Sequence, residues 1–289
     1  HKTIRSIEVT TNHAFPLGRL CGLFGCKQSN NEVRLMRKFA RNKIATAIKP
    51  RERGYILYQG PSMLDGEPIV GIATMTTSNV KTGDMVQTWI LRSDINPVEA
   101  SKLGEDSSIC GNCPQRHHTG GACYVNIGQA PNQVYKSFKR GIYPVFDYAK
   151  HSQYITGRKI RLGAYGDPAA IPFDIVAPFA KLGIGHTGYT HQANHKSFDD
   201  RYFTLLMASA DTPKQSLALQ SRGAKTFRVA LADDSLFEHE SECYADSEGI
   251  QCADCLQCDG KHSNIAIQVH GSRKSNFKST LIDTITIAA

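Results

Sequence analysis

Lys159-Ile-Arg-Leu-Gly-Ala-Tyr165 opens the stretch whose reading decides the fold. Its branched and aromatic residues predict a β-strand. A helix is expected from about Pro172 to Leu182, then a weaker strand over Gly185-His-Thr-Gly-Tyr-Thr190. Phe203-Thr-Leu-Leu-Met-Ala-Ser-Ala210 predicts a third strand and Pro213 to Arg222 a second helix. Lys225-Thr-Phe-Arg-Val-Ala-Leu231 and Asn264-Ile-Ala-Ile-Gln-Val269 predict the fourth and fifth strands. Strands alternating with helices at this spacing predict an α/β protein with a parallel sheet.

Upstream the pattern is richer in strands. Gly54 to Tyr58, Pro68 to Met75 and Met85 to Arg92 read as strands, with Asp65-Gly66 as a hairpin turn between the first two. Ser78-Asn-Val-Lys-Thr-Gly83 joins the second to the third. Lys81 and Asn79 there are candidates to hold an anionic cofactor group; the other reading is a plain turn, and Walker spacing is missing. Gln129 to Arg140 and Pro144 to His151 carry helical patterns, with Gly141 between them as a C-cap.

Residues 1–50 form an extension. Val33, Leu35, Met36, Phe39, Ile44 and Ile48 recur there near helical spacing, opposite Arg34, Arg37, Lys38, Arg41 and Lys43. That basic face reads either as a phosphate contact or as a solvated surface. Residues 51–289 then make one α/β domain.

The 289 residues are 40% apolar and 21% charged, a globular and not a disordered composition. Against 26 acidic residues stand 34 basic ones, a net charge of +8 that admits a polyanionic partner without requiring one. No apolar run approaches the roughly 20 residues of a membrane span. The chain opens at His1 without signal-peptide features and reads as a processed or trimmed fragment.

The nine cysteines are odd in number and closely spaced, which suits metal binding better than disulfides. The segment 110–123 reads Cys110-Gly-Asn-Cys113-Pro-Gln-Arg-His117-His118-Thr-Gly-Gly-Ala-Cys123. Two residues between cysteines bend the chain so that both sulfurs face one centre, and Gly120-Gly121 allows Cys123 to return to it. Three thiolates with His117 or His118 make a closed zinc site. Three thiolates alone hold an iron–sulfur cluster with one iron open. The segment 243–258 supplies Cys243, Cys252, Cys255 and Cys258, whose CxxCxxC run suits a fully ligated cluster more than zinc. Cys21 and Cys26 have a spacing that fits a metal knuckle, but the flanking Leu and Phe look like packing.

Several strands run into polar residues: Tyr165-Gly-Asp167, Tyr189-Thr-His191, Ser209-Ala-Asp211 and His270-Gly271. In a parallel sheet these carboxyl ends converge where ligands bind. Asp167, His191, Asp211, His270 and Tyr165 are therefore the candidate catalytic residues, with both cysteine segments expected beside them. Each has a plainer reading: Asp167 and Asp211 as helix caps, the histidines as hydrogen-bonded core groups.

The strings Ser78-Asn-Val-Lys-Thr-Gly83, Cys110-Gly-Asn-Cys113-Pro, Arg161-Leu-Gly-Ala-Tyr-Gly-Asp-Pro168, Gly188-Tyr-Thr-His191-Gln and Cys252-Ala-Asp-Cys255-Leu-Gln-Cys258 carry a resemblance. In their order, the chain resembles an uncharacterised cysteine-rich family of tailed phages and mobile elements, and more distantly phage proteins with a radical-SAM-like barrel. The resemblance implies a partial or full TIM-like parallel barrel in the cytoplasm of a host cell, carrying one or two iron–sulfur clusters. S-adenosylmethionine would be its cofactor, with Cys110, Cys113 and Cys123 in place of the usual CxxxCxxC triplet.

Two functions follow as expectations. One is an iron–sulfur, radical-SAM-like enzyme acting on a small-molecule or nucleotide-like substrate. The other is a zinc-stabilised protein that binds or processes nucleic acid, using the +8 charge, the helix at 33–48 and Arg273, Lys274 and Lys278.

Overall fold

The computed structural model describes residues 52–231, 234–237 and 239–277. The extension at 1–50, with Cys21, Cys26 and its expected basic helix, and Lys278 lie outside the described residues.

Strands β1 (Gly54–Pro61), β2 (Pro68–Thr74) and β3 (Met85–Arg92) form an antiparallel meander. Helices α1 (Pro97–Leu103) and α2 (Ala130–Lys139) follow. Then come β4 (Lys159–Tyr165), α3 (Phe173–Leu182), β5 (Gly185–Thr190), β6 (Met207–Ala210), α4 (Pro213–Ser221) and β7 (Thr226–Ala230). The short β8 (Glu240–Glu242) and β9 (Asn264–Gln268) complete one sheet, ordered β1-β2-β3-β4-β5-β6-β7-β9-β8. Every pair from β3 to β8 is parallel. The fold is α/β, as the alternation requires. The sheet is open, with β1 and β8 at its edges, so a fully closed barrel is not formed. No helix among the described residues is long and apolar enough to cross a membrane.

The crossovers through α3 and α4 step in the same direction along the sheet, so the right-handed rule puts both helices on one face. Ile160 and Leu162 of β4 share the main core with Val176 and Phe179 of α3. Ala208 and Ala210 of β6 pack with Leu219 of α4. Side chains alternate along a strand, so Arg161, Tyr189 and Met207 turn to the opposite face. A register shift opposite Gly163 (φ 72°) leaves Tyr165 paired with Trp89 on that same face. This second face carries the candidate residues.

Three expectations need correction. Pro144 to His151 is not one helix. Val145 bridges Ile56 of β1, and only Tyr148–His151 turns helically, capped by Asp147. The strand expected over Phe203 to Ala210 splits into a 3-10 segment, Asp200–Thr204, and β6, because the Asp199 side chain caps the segment. Helix α1 was not foreseen, although Asn96-Pro97 is a strong start: the Asn96 side chain accepts from the N–H groups of Val98 and Glu99.

Gly166 ends β4 at φ 76°, and a Cβ there would stand 2.6 Å from the Ile90 carbonyl oxygen. Gly166→Ala is expected to cost about 3 kcal/mol, from the left-handed backbone and the collision together, read by urea denaturation.

Candidate functional site

At the carboxyl ends of β4 to β6 the chain gathers three thiols. Cys110 ends the helical turn Ser107–Cys110. The Asp167 N–H fastens that turn by donating to the Ile109 carbonyl (2.6 Å), and Gln192 Nε2 donates to the Cys110 carbonyl (2.7 Å). Gly111 lies so close to the Gln192 side chain that any Cβ there would collide with it. The Cys113 N–H donates to the Cys110 carbonyl (3.2 Å), and the Cys123 N–H to the Gln115 carbonyl (2.8 Å), which brings Cys123 back.

These thiols are unpaired. Burial pushes the Cys110 and Cys123 thiols up, and the charges of the neighbouring cysteines push them further. The Val125 N–H donates to Cys123 and pulls the other way.

Asp167 is buried and fully employed. Its carboxylate accepts from the Ala169 N–H (3.0 Å), the Thr190 hydroxyl (3.1 Å) and the His191 N–H (2.8 Å). It caps the turn after β4 and locks the end of β5, so it positions the site. Burial still raises its pKa above the ordinary carboxylate value, against those bonds.

His191 Nε2 lies 3.4 Å from Asp211 Oδ1 and hydrogen-bonds Cys113. Burial opposes its protonation, but Cys113 and Asp211 more than reverse this and hold the ring well above its ordinary pKa. Burial pushes Asp211 up, while His191 and Gln115 (Nε2 to Oδ1, 3.2 Å) bring it net below the usual range.

Around the three thiols stand buried polar atoms without a hydrogen-bond partner: Tyr165 Oη, Gln192 Oε1, Asp106 Oδ1 and Arg116 Nε. The last two face each other at 3.4 Å. Tyr165 feels the charges of Cys110, Cys123 and Asp106. Only Tyr55 and His186 contribute other such atoms among the described residues. Orphaned polar groups in one place call for a missing partner.

The second set lies elsewhere than expected. The Cys252 and Ala253 N–H groups donate to the carbonyls of Lys81 (3.1 Å) and Thr82 (2.9 Å), just before β3. Lys159, the first residue of β4, lies 3.8 Å from Asp254, and Leu256 covers Gly185, the first residue of β5. The loop therefore sits on the second face toward the amino ends of the strands, not at their carboxyl ends. Cys258 packs on Met207 and Ile265 beside Tyr189, Phe227 and Cys243. Cys243, Cys252, Cys255 and Cys258 are unpaired and lie within one another's electrostatic reach. Burial pushes Cys258 up to about 12. The Gln257 N–H donates to Cys255, as Val125 does to Cys123.

The remaining candidates separate. His117 Nε2 is engaged with the Cys123 carbonyl (2.9 Å) and His118 Nδ1 with the Lys102 carbonyl (3.1 Å), so His191 is the histidine at the thiols. His270 meets other partners: its ring is tilted against Tyr124 with centroids 5.0 Å apart, and its Nδ1 is engaged with the Gln268 carbonyl. The Asn79 side chain is spent on its own loop, accepting from the Lys81 and Thr82 N–H groups, and Lys81 pairs with Asp246 (3.1 Å). Sequence reasoning missed Gln192, Asp106, Arg116 and the Tyr124–Arg161 contact (2.7 Å). Gln192 directly follows the candidate His191, the nearest thing to a signal for it.

Among the described residues no group of three His, Cys, Asp or Glu side chains is disposed as a ready cage for a metal ion. The two sets are neighbourhoods of thiols. No protein-family model matches the chain, and no curated protein or solved structure is significantly similar to it.

Because the folded Asp167 pKa is raised, its protonated form favours folding. That contribution is full below the unfolded pKa and is lost as pH rises through the folded one. Asn mimics the protonated carboxyl. The stability of the wild type relative to Asp167→Asn is therefore expected to fall as pH rises across the carboxylate range, measured by chemical denaturation of metal-free protein.

Proposed function

We propose that the chain is a metal-dependent enzyme of part-barrel architecture, with its reacting centre at Cys110, Cys113 and Cys123 and a second, auxiliary centre at Cys243, Cys252, Cys255 and Cys258. The observation that carries this is the coincidence of three unpaired thiols with two unpartnered buried polar atoms, Tyr165 Oη and Gln192 Oε1, at the carboxyl ends of parallel strands. Ligands of open parallel sheets bind at that end. The consecutive run from β3 to β7 is the strand order of a part-barrel. A cysteine side chain reaches a new position by rotating about one bond, so the directions the thiols take here do not fix those they would take around a bound centre.

An iron–sulfur cluster held by three thiolates supplies one-electron chemistry and one iron open to a ligand. The chain's own residues supply the rest. His191, steadied by Asp211, holds a proton beside Cys113 and can deliver it to a bound group. The Tyr165 hydroxyl offers a second donor from the floor of the site. Asp167 and Gln192 fix the backbone that presents the thiols.

Metal and sulfide analysis of protein purified without oxygen tests the reading. The expected result is brown protein with iron and sulfide on the order of eight each per chain if both clusters are cubane. A C110A/C113A/C123A variant should lose about half of the iron, as three ligands of one cluster predict. His191→Ala should keep it all, separating proton handling from ligation. Colourless protein with stoichiometric zinc and no sulfide would overturn the reading.

A further inference from the structure

Three arginines on the sheet are nearly closed off from water: Arg92 at 6%, Arg161 at 9% and Arg228 at 2% relative exposure. Two have carboxylates. Arg92 is clasped by Glu67 (3.0 Å), Asp94 (2.8 Å) and Glu105 (3.2 Å). Arg228 holds Glu240 at 2.7 Å and Asp234 at 3.7 Å. Arg161 has no carboxylate at ion-pair distance among the described residues; its hydrogen bond goes to the hydroxyl of Tyr124 (2.7 Å). A guanidinium does not give up its proton in a protein, and a buried unpaired charge is costly. An anion is owed to this position.

The face of β4 that carries Arg161 shows where the anion belongs. Arg161 pairs in register with Gln87 of β3 and Thr187 of β5. The Cys252 turn is fastened just before β3, and Leu256 lies over the start of β5. Arg161 is within electrostatic reach of Cys252 and of Tyr189, which is hydrogen-bonded to Cys258. Two other cations face the set, but Lys81 stands against Asp246 (3.1 Å) and Lys159 against Asp254 (3.8 Å). Four thiolates around a dication, or around a cluster core of the same charge, leave a net negative centre in a poorly solvated place.

We propose that Cys243, Cys252, Cys255 and Cys258 form a metal centre of net negative charge, with Arg161 as its fixed counter-ion. The inference rests on the reading above only in that these four thiols bind metal, and it holds for zinc as for iron. Arg161 is a positioning and charge-balancing residue. Its bond to Tyr124, the neighbour of Cys123, also ties this centre to the first set.

The test compares wild type, Arg161→Met and Arg161→Lys, each full-length and loaded with Zn2+. Excess EDTA is added, and thiol alkylation is followed by peptide mass spectrometry, which reads each cysteine segment separately. Arg161→Met should lose protection at residues 243–258 roughly tenfold faster or more, as loss of a partner around a metal site predicts. Arg161→Lys should stay near the wild type, and the 110–123 segment should be unaffected. Metal-free Arg161→Met should melt no lower than metal-free wild type, since an unpaired charge is gone, and should gain less on adding Zn2+. Equal rates of loss would overturn the proposal. So would an Arg161→Met chain that fails to fold, or melts far below wild type with and without Zn2+, since that makes Arg161 merely structural. Zinc in place of iron after anaerobic purification would remove the iron–sulfur reading and leave this one standing, because the loss rates are read with Zn2+ alone.

Discussion

Seven thiols, six part-buried and one buried, none joined to another, are the constraint around which the rest is arranged. A buried thiol left alone stays protonated and behaves as a small apolar group. Here it is not left alone. Each set places sulfurs within one another's field, which makes ionisation harder still, while the N–H groups of Val125 and Gln257 point at two of them and make it easier. On the proposed reading a cation in the protons' place would reconcile those opposed effects, since metal ligation deprotonates a thiol outright.

The sheet serves this arrangement through one residue pair in particular. Asp167 joins the end of β4 to the end of β5 by accepting from Thr190 and His191, while its own N–H holds the turn that ends in Cys110. Gly166 gives the chain room to pass Ile90 at that point. An acid that is a catalytic candidate on the sequence is thus a bracket, its carboxylate held by three hydrogen bonds. On the proposed reading proton handling falls to His191 and Asp211.

The α/β alternation was legible because local composition marks its elements: branched residues in β4, β7 and β9, an amphipathic pattern in α3, and the Thr212-Pro213 start of α4. Elements governed by a single cap or bridge were not: α1 depends on Asn96, the 3-10 segment on Asp199, and the stretch at Pro144–Phe146 on a bridge to Ile56. The cysteine sets were legible as sets because their members are close in sequence. Their placement was not, because it depends on carbonyl groups at Lys81 and Thr82 that lie far from Cys252 along the chain. His117 and His118 look like ligands from spacing alone. The backbone turns both rings onto carbonyl oxygens, and the histidine that meets Cys113 comes from another strand.

The two sets differ in how the charges around them are balanced. The first has Asp106, Asp167 and Asp211 nearby, with Arg116 set against Asp106. The second has Lys81, Lys159 and Arg161, of which Arg161 is without a carboxylate. His191, with its pKa held up beside Cys113, also offsets the acids of the first set, whereas Arg161 leaves the second set a cation with no carboxylate at ion-pair distance among the described residues. Arg161 and Tyr165 pair with Gln87 and Trp89 of β3, only two residues apart, so the register shift draws them closer than four residues of regular strand would. Tyr124, next to Cys123 and bonded to Arg161, joins the surroundings of the two sets.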